Sequence, residues 1–129
     1  MGGLTLEVLD TTLGRPASGV PICLEYQSGC GTWKMYAKGT TNDEGRADDL
    51  LTRGHAIWDK GLYRLTFETE QYLKSTNQSQ ESFFPCVPVI FKVSDPEVQY
   101  HVPLHISPFG LSVCVQTPQA GARIGHHRL

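Results

Sequence analysis

Positive charge is scarce in this 129-residue sequence: 11 Lys and Arg stand against 13 Asp and Glu, a formal net charge of −2. That balance leaves no basic footprint for nucleic acid or for an anionic membrane surface. Apolar runs are short, and none approaches the roughly 20 residues of a bilayer-spanning helix. The N-terminal residues lack the charged-then-apolar order of a secretory leader. The four cysteines, at 23, 30, 86 and 114, form neither a C-x-x-C pair nor a dense framework. Free thiols in a reducing compartment are therefore expected, with Cys23 and Cys86 acting as small hydrophobes on core strands. There is no H-E-x-x-H, no histidine–carboxylate cluster, no G-x-S-x-G, no phosphate loop and no dinucleotide fingerprint. Most familiar enzyme classes are thereby disfavoured, and no metal or cofactor is expected.

What remains is globular in character: 40% hydrophobic and 19% charged, at a length that suits one domain. Thirteen glycines and eight prolines cut the chain into short pieces, which argues against long helices. Alternating or β-branched segments predict strands at Leu4–Leu9, Val20–Tyr26, Trp33–Lys38, Leu62–Phe67, Val87–Val93, Tyr100–Leu104 and Leu111–Gln116. Turn chemistry separates them, at Asp10–Pro16, Thr40–Arg46 and Asp95-Pro96. Thr69 is placed to cap one short helix over Glu70–Lys74. Seven short strands and one helical turn describe an all-β antiparallel sandwich over residues 1–117. The Gly-, Arg- and His-rich stretch 118–129 has no periodicity and is expected to be a disordered tail.

Few residues stand out as carriers of chemistry. His101 and His105 are four apart on one strand, so a period of two turns both to the same side. A surface role is preferred for His105. Arg46 follows Gly45 in a polar loop, where its fork of five donors can bind a carboxylate or planar oxygens, or pair with Asp48 or Asp49. Glu7 sits inside the apolar first strand, so it is either outward-facing or placed for a purpose.

Several motifs agree in order and spacing over about 105 residues, Leu4 to Pro108. They are Val8-Leu9-Asp10-Thr11 with Gly14-Arg15-Pro16-Ala17, Thr41-Asn42-Asp43-Glu44-Gly45-Arg46, and Gly61-Leu62-Tyr63-Arg64-Leu65-Thr66-Phe67. Phe83-Phe84-Pro85, Tyr100-His101-Val102-Pro103-Leu104 and Ser107-Pro108-Phe109-Gly110 follow. This chain resembles the transthyretin-like family, most closely its enzyme branch, the 5-hydroxyisourate hydrolases of urate catabolism. The resemblance implies an eight-stranded sandwich, the eighth strand falling near Ala47–Thr52 or in 53–58. It also implies a homotetramer with sites at a dimer–dimer interface. In those hydrolases the site is made by a first-strand histidine, an arginine after the polar loop, a histidine in the His-Val-Pro-Leu strand and a C-terminal Tyr-Arg-Gly-Ser.

Arg46 and His101 match that pattern, and transthyretin itself lacks both. Two departures accompany them. Glu7 replaces the first-strand histidine, and the terminal tetrapeptide is absent, Cys114 and Val115 standing where its tyrosine and arginine would fall. By resemblance, the activity is hydrolysis of the ring amide of 5-hydroxyisourate to 2-oxo-4-hydroxy-4-carboxy-5-ureidoimidazoline, without metal or cofactor. His101, with an ordinary pKa of about 6.5, would move the proton. Arg46 would bind substrate oxygens and offset the oxyanion's charge. Glu7, with an ordinary pKa of about 4.3, is a mismatched base unless burial raises it. Alternatively, it pairs with Arg46 or His101 and weakens the site. Cys114 and Glu7 join Arg46 as candidate substrate contacts. The competing reading is a non-catalytic small-ligand carrier on the same scaffold. Cytoplasm is the expected compartment; peroxisome comes second, because His127-Arg128-Leu129 has the basic–leucine ending of a peroxisomal signal with a different first residue.

Overall fold

The computed structural model of the protein describes residues 3–54, 58–78, 85–116 and 124–128. Among the described residues, ten strands and two short helices follow one another in this order: β1 (Gly3–Asp10), β2 (Arg15–Pro16), β3 (Pro21–Gln27), β4 (Trp33–Thr40), β5 (Arg46–Ala47), α1 (Leu50–Arg53), β6 (Gly61–Phe67), α2 (Thr69–Ser75), β7 (Val87–Val93), β8 (Gln99–Ser107), β9 (Gly110–Gln116) and β10 (Ile124–Arg128). One sheet runs β10-β9-β8-β1-β2, with β5 also on β1; the other runs β4-β3-β6-β7.

The alternation that predicts the strands also decides which side faces inward. β1 buries Leu4, Leu6, Val8 and Asp10, and β8 buries Tyr100, Val102, Leu104 and Ile106. From the opposite sheet come Ile22 and Leu24, Tyr63, Leu65 and Phe67, and the four inward residues of β7. Each of the apolar side chains in these rows contributes roughly 1.5–3 kcal/mol of transfer free energy, so two facing rows make the core. The outward row of the first sheet is thereby released for other work: Thr5 and Glu7 on β1, and His101, Pro103 and His105 on β8.

Several expectations are corrected. The sandwich is not wholly antiparallel, because β1 and β8 lie side by side in parallel, Thr5 beside His101 and Glu7 beside Pro103. Three strands join the seven expected: β2, β10 and the two-residue β5, which ends where the eighth strand was expected to begin; 50–53 is a helical turn, and 55–57 lie outside the described residues, as do Phe83 and Phe84. Thr69 is not a cap but the first residue of α2, whose N-cap position is Glu68. Cys86 is exposed just ahead of β7 and Cys23 is only half-buried on the outer face of β3, so neither is a core residue. All four thiols are free. The stretch from 118 is not structureless throughout: β10 returns antiparallel to β9, Gly125 opposite Val115 and His126 opposite Cys114. A free sheet edge offers a row of unpaired N–H and C=O groups, which needs no hydrophobic period in the strand that covers it.

Asp10 ties α2 to the sandwich. Its buried carboxylate accepts the N–H groups of Thr12 and Leu13, both at 2.9 Å, the Tyr72 hydroxyl at 2.8 Å and the Gln78 amide at 2.6 Å. Burial opposes its charge, yet these four donors outweigh that and hold its pKa below the ordinary value. Burial and the bond to Asp10 push Tyr72 up to about 12.

Candidate active site

The register of four strands brings the sequence candidates to one sheet face. β9 lies against β8 with Gln116 opposite His101 and Ser112 opposite His105. β1 flanks β8 on its other side, and β5 sets Arg46 opposite Glu7. A hollow of about 420 Å³ opens on this face, lined by Glu7, His101, Pro103, His105, Ser112, Cys114 and Gln116. His101, Glu7 and Cys114 thus share one cavity. Arg46 is not in the lining and stands beside it, joined through Glu7.

The Asn42–Arg46 loop explains how a half-buried arginine is held there. The Asn42 side-chain oxygen accepts the backbone N–H of Glu44 at 2.9 Å and of Arg46 at 3.0 Å, while Asn42 N–H donates to the Arg46 carbonyl at 2.9 Å. Gly45 turns the chain with φ of 74°, and its carbonyl accepts the Val8 N–H at 2.7 Å. A Cβ at Gly45 would collide with the Val8 carbonyl oxygen. The loop is therefore fastened to β1 one residue from Glu7, and a polar cluster around one glycine is what that geometry requires.

Arg46 is engaged by two carboxylates. Its Nη1 lies 3.4 Å from Glu7 Oε2, its Nε 3.2 Å from Asp48 Oδ2, and its Nη2 3.5 Å from Asp48 Oδ1. The Asp48 bond and charge raise the guanidinium's pKa, with a smaller push from Glu7. Of the expected pairings, those of Arg46 with Glu7 and with Asp48 both form. The Arg46 and Glu7 side chains remain 33% and 30% exposed, so water screens the pair and limits its worth to roughly 0.2–1 kcal/mol.

His101 is half-buried, and its Nδ1 sits 2.7 Å from the Thr5 hydroxyl oxygen. His105 is exposed on the same side, as the period of two requires. Sequence reasoning missed Thr5, Ser112 and Gln116. Thr5 carried only the signal of standing two residues before Glu7, and its approach to His101 depends on the parallel pairing of strands about 95 residues apart. Among the described residues, no group of three or more His, Cys, Asp or Glu is arranged to hold a metal ion. A second hollow of about 440 Å³ lies against the other sheet, beside Cys23, Lys38 and Glu68, and has no imidazole or guanidinium in its lining.

An imidazole held by a hydroxyl lines a hollow, and a guanidinium on a fixed loop stands beside it, an arrangement of the kind that can move a proton and offset negative charge. The HIUase/Transthyretin family model matches residues 4–114, and the chain belongs to that family. It is 39% identical over 107 residues to the 5-hydroxyisourate hydrolase of Mus musculus, covering 82% of this chain and 87% of the relative. A probable 5-hydroxyisourate hydrolase of Caenorhabditis elegans is 40% identical over 109 residues, 84% of this chain and 77% of the relative. Among solved structures, transthyretin from Sparus aurata superimposes with a TM-score of 0.80 at 26% identity, covering 91% of this chain and 98% of that one. The family expectation is thus met, and the sequence identity to these hydrolases is higher than to that transthyretin.

Proposed function

We propose that this protein hydrolyses 5-hydroxyisourate, opening its ring amide, with His101 as base or proton relay and Arg46 as the electrostatic clamp. The observation that carries the reading is the convergence of these two residues, far apart in sequence, on one outward sheet face beside a cavity. Hydrolysis needs a water stripped of its proton, a carbonyl held for attack and negative charge offset as the tetrahedral oxyanion grows. With Nδ1 taken up by Thr5, Nε2 of His101 is the nitrogen left for water. Arg46 supplies planar donors to substrate oxygens; Asp48 sets where those donors lie, and Glu7 competes for one of them. Cys114 shapes the far wall against the substrate. A homotetramer, in which a second copy covers this face and excludes water from it, fits the same reading.

The alternative is a carrier that binds a small aromatic molecule on this face without chemistry. A scaffold of the same shape in a transthyretin supports it, whereas an imidazole and a guanidinium together answer a catalytic need that binding alone does not have. The test is ultraviolet decay of freshly made 5-hydroxyisourate, comparing the wild type with His101→Ala and Arg46→Ala. Accelerated decay that falls by roughly 10²-fold or more in His101→Ala is expected. Decay by the wild type no faster than buffer alone would end the enzyme reading and leave the carrier.

A further inference from the structure

We infer that Thr5 is a positioning residue for His101, fixing which ring nitrogen carries the proton and presenting the lone pair of Nε2 to the cavity. The inference rests on the reading of His101 as the group that moves the proton. The Thr5 hydroxyl oxygen lies 2.7 Å from His101 Nδ1, and the two residues are side by side in the parallel β1–β8 ladder. That ladder runs in unbroken register from Gly3 beside Gln99 to Asp10 beside Ile106, so the contact is set by backbone and not by a mobile loop. Threonine strengthens this role, since its β-branch stiffens χ1 and leaves the hydroxyl few places to go.

A neutral imidazole carries one proton on two nitrogens, and the hydrogen bond at one nitrogen decides the state of the other. A hydroxyl can accept at Oγ1 while its own proton turns to solvent, and Thr5 is only half-buried. Nδ1–H then donates to Thr5, and Nε2 keeps a free lone pair where a water can lose its proton. Were the hydroxyl to donate instead, Nε2 would carry the proton and the base would face the substrate already protonated. On the other flank of His101, Gln116 is exposed. Thr5 is therefore the partner that the described structure gives to the ring.

The experiment uses the full chain labelled with ¹⁵N-histidine, with His101 assigned by its loss in His101→Ala. Long-range ¹H–¹⁵N spectra at a pH where the ring is neutral read its tautomer directly. The wild type should show the Nδ1–H form, Thr5→Val a change toward the Nε2–H form, and Thr5→Ser the wild-type pattern. Hydrolysis of 5-hydroxyisourate by the same variants should show kcat lowered on the order of 10- to 100-fold in Thr5→Val, with KM little changed, and largely recovered in Thr5→Ser. A His101 tautomer identical in the wild type and Thr5→Val overturns the inference, and so does an Nε2–H form in the wild type. If the wild type does not hydrolyse the substrate, the functional reading fails, while the spectra still decide whether Thr5 sets the tautomer. If it does, an unchanged kcat in Thr5→Val sinks the inference and leaves the hydrolase reading standing.

Discussion

Replacing Glu7 by glutamine separates two roles that its position on β1 allows, because the two predict effects of opposite sign. Glu7 Oε2 sits 3.4 Å from Arg46 Nη1, while Asp48 holds the same guanidinium through two contacts at 3.2 and 3.5 Å. If Glu7 competes with the substrate's oxyanion for Arg46, its removal releases only what the pair is worth. With about a third of each side chain exposed, that is at most about 1 kcal/mol, or up to about 5-fold in kcat/KM. If Glu7 were the base that deprotonates water, Glu7→Gln would instead cost on the order of 10²–10⁴-fold. The geometry favours competition, since one carboxylate oxygen is already occupied by Arg46. The expected result is a gain of a few-fold in Glu7→Gln, measured by the ultraviolet decay of 5-hydroxyisourate. That gain should shrink in high salt, where the Glu7–Arg46 attraction in the wild type is itself screened. A tenfold or greater fall in Glu7→Gln would refute the argument and make Glu7 a catalytic group.

Other expectations follow from the same contacts. Gly45→Ala combines a φ of 74° with a collision at the Val8 carbonyl, whereas Gly31→Ala has a φ of 86° and open space around it. The first should lose stability by roughly 1–3 kcal/mol and displace Arg46, lowering kcat/KM, while the second should show only a modest stability loss in urea titration. The Asp10–Tyr72 pair makes stability depend on pH at both extremes. Asp10's folded pKa is depressed, so its contribution is complete above the ordinary value of 3.8 and is lost as pH falls through the folded value; Tyr72's is raised, so its contribution is complete below pH 10 and is lost as pH rises toward about 12. Tyr72→Phe should cost about 1–3 kcal/mol at neutral pH and flatten the alkaline decline of the urea midpoint; an unchanged alkaline decline would count against the linkage. Finally, Cys30 is brought down to about 7 by the Ser28 and Thr32 hydroxyls, while burial and then the Glu25 carboxylate push Cys23 up. Peptide mapping after brief iodoacetamide treatment near pH 7.5 should find Cys30 alkylated well before Cys23, and Ser28→Ala should slow it.

Most of the longer strands were legible because they alternate, and alternation is a local property. Leu62–Phe67 and Val87–Val93 bury every second residue as their sequences imply. Local pattern fails where the ladder itself is irregular. The register of β3 against β4 shifts between Leu24 and Glu25, and both Tyr36 and Ala37 turn inward, so Trp33–Lys38 does not alternate cleanly in the structure. A bulge of this kind inserts one residue and leaves no composition signal. β5 left no local pattern for another reason: two residues, Arg46 and Ala47, carry no period at all, and they are a strand only because β1 lies beside them. β10 is similar, being defined by the edge of β9 and not by its own hydrophobic pattern.

The site divides along the same line. Arg46 and His101 could be read from their neighbours, since a glycine-centred polar loop and a His-Val-Pro-Leu strand are each continuous in sequence. Their relation to one another could not, because it passes through β1: Glu7 faces Arg46 on one side of that strand, and Thr5 faces His101 on the other. A residue at position 7 must therefore meet the guanidinium whatever its chemistry, and a carboxylate there converts a position beside the base into a partner for the clamp. The same strand that carries the departure from the family's first-strand histidine also carries, two residues earlier, the hydroxyl that holds the remaining one. On the proposed mechanism, with Glu7 where a second imidazole would stand, the whole proton-transfer task falls to His101, and the state of its Nδ1 beside Thr5 weighs more heavily on the rate than it would in a two-histidine site.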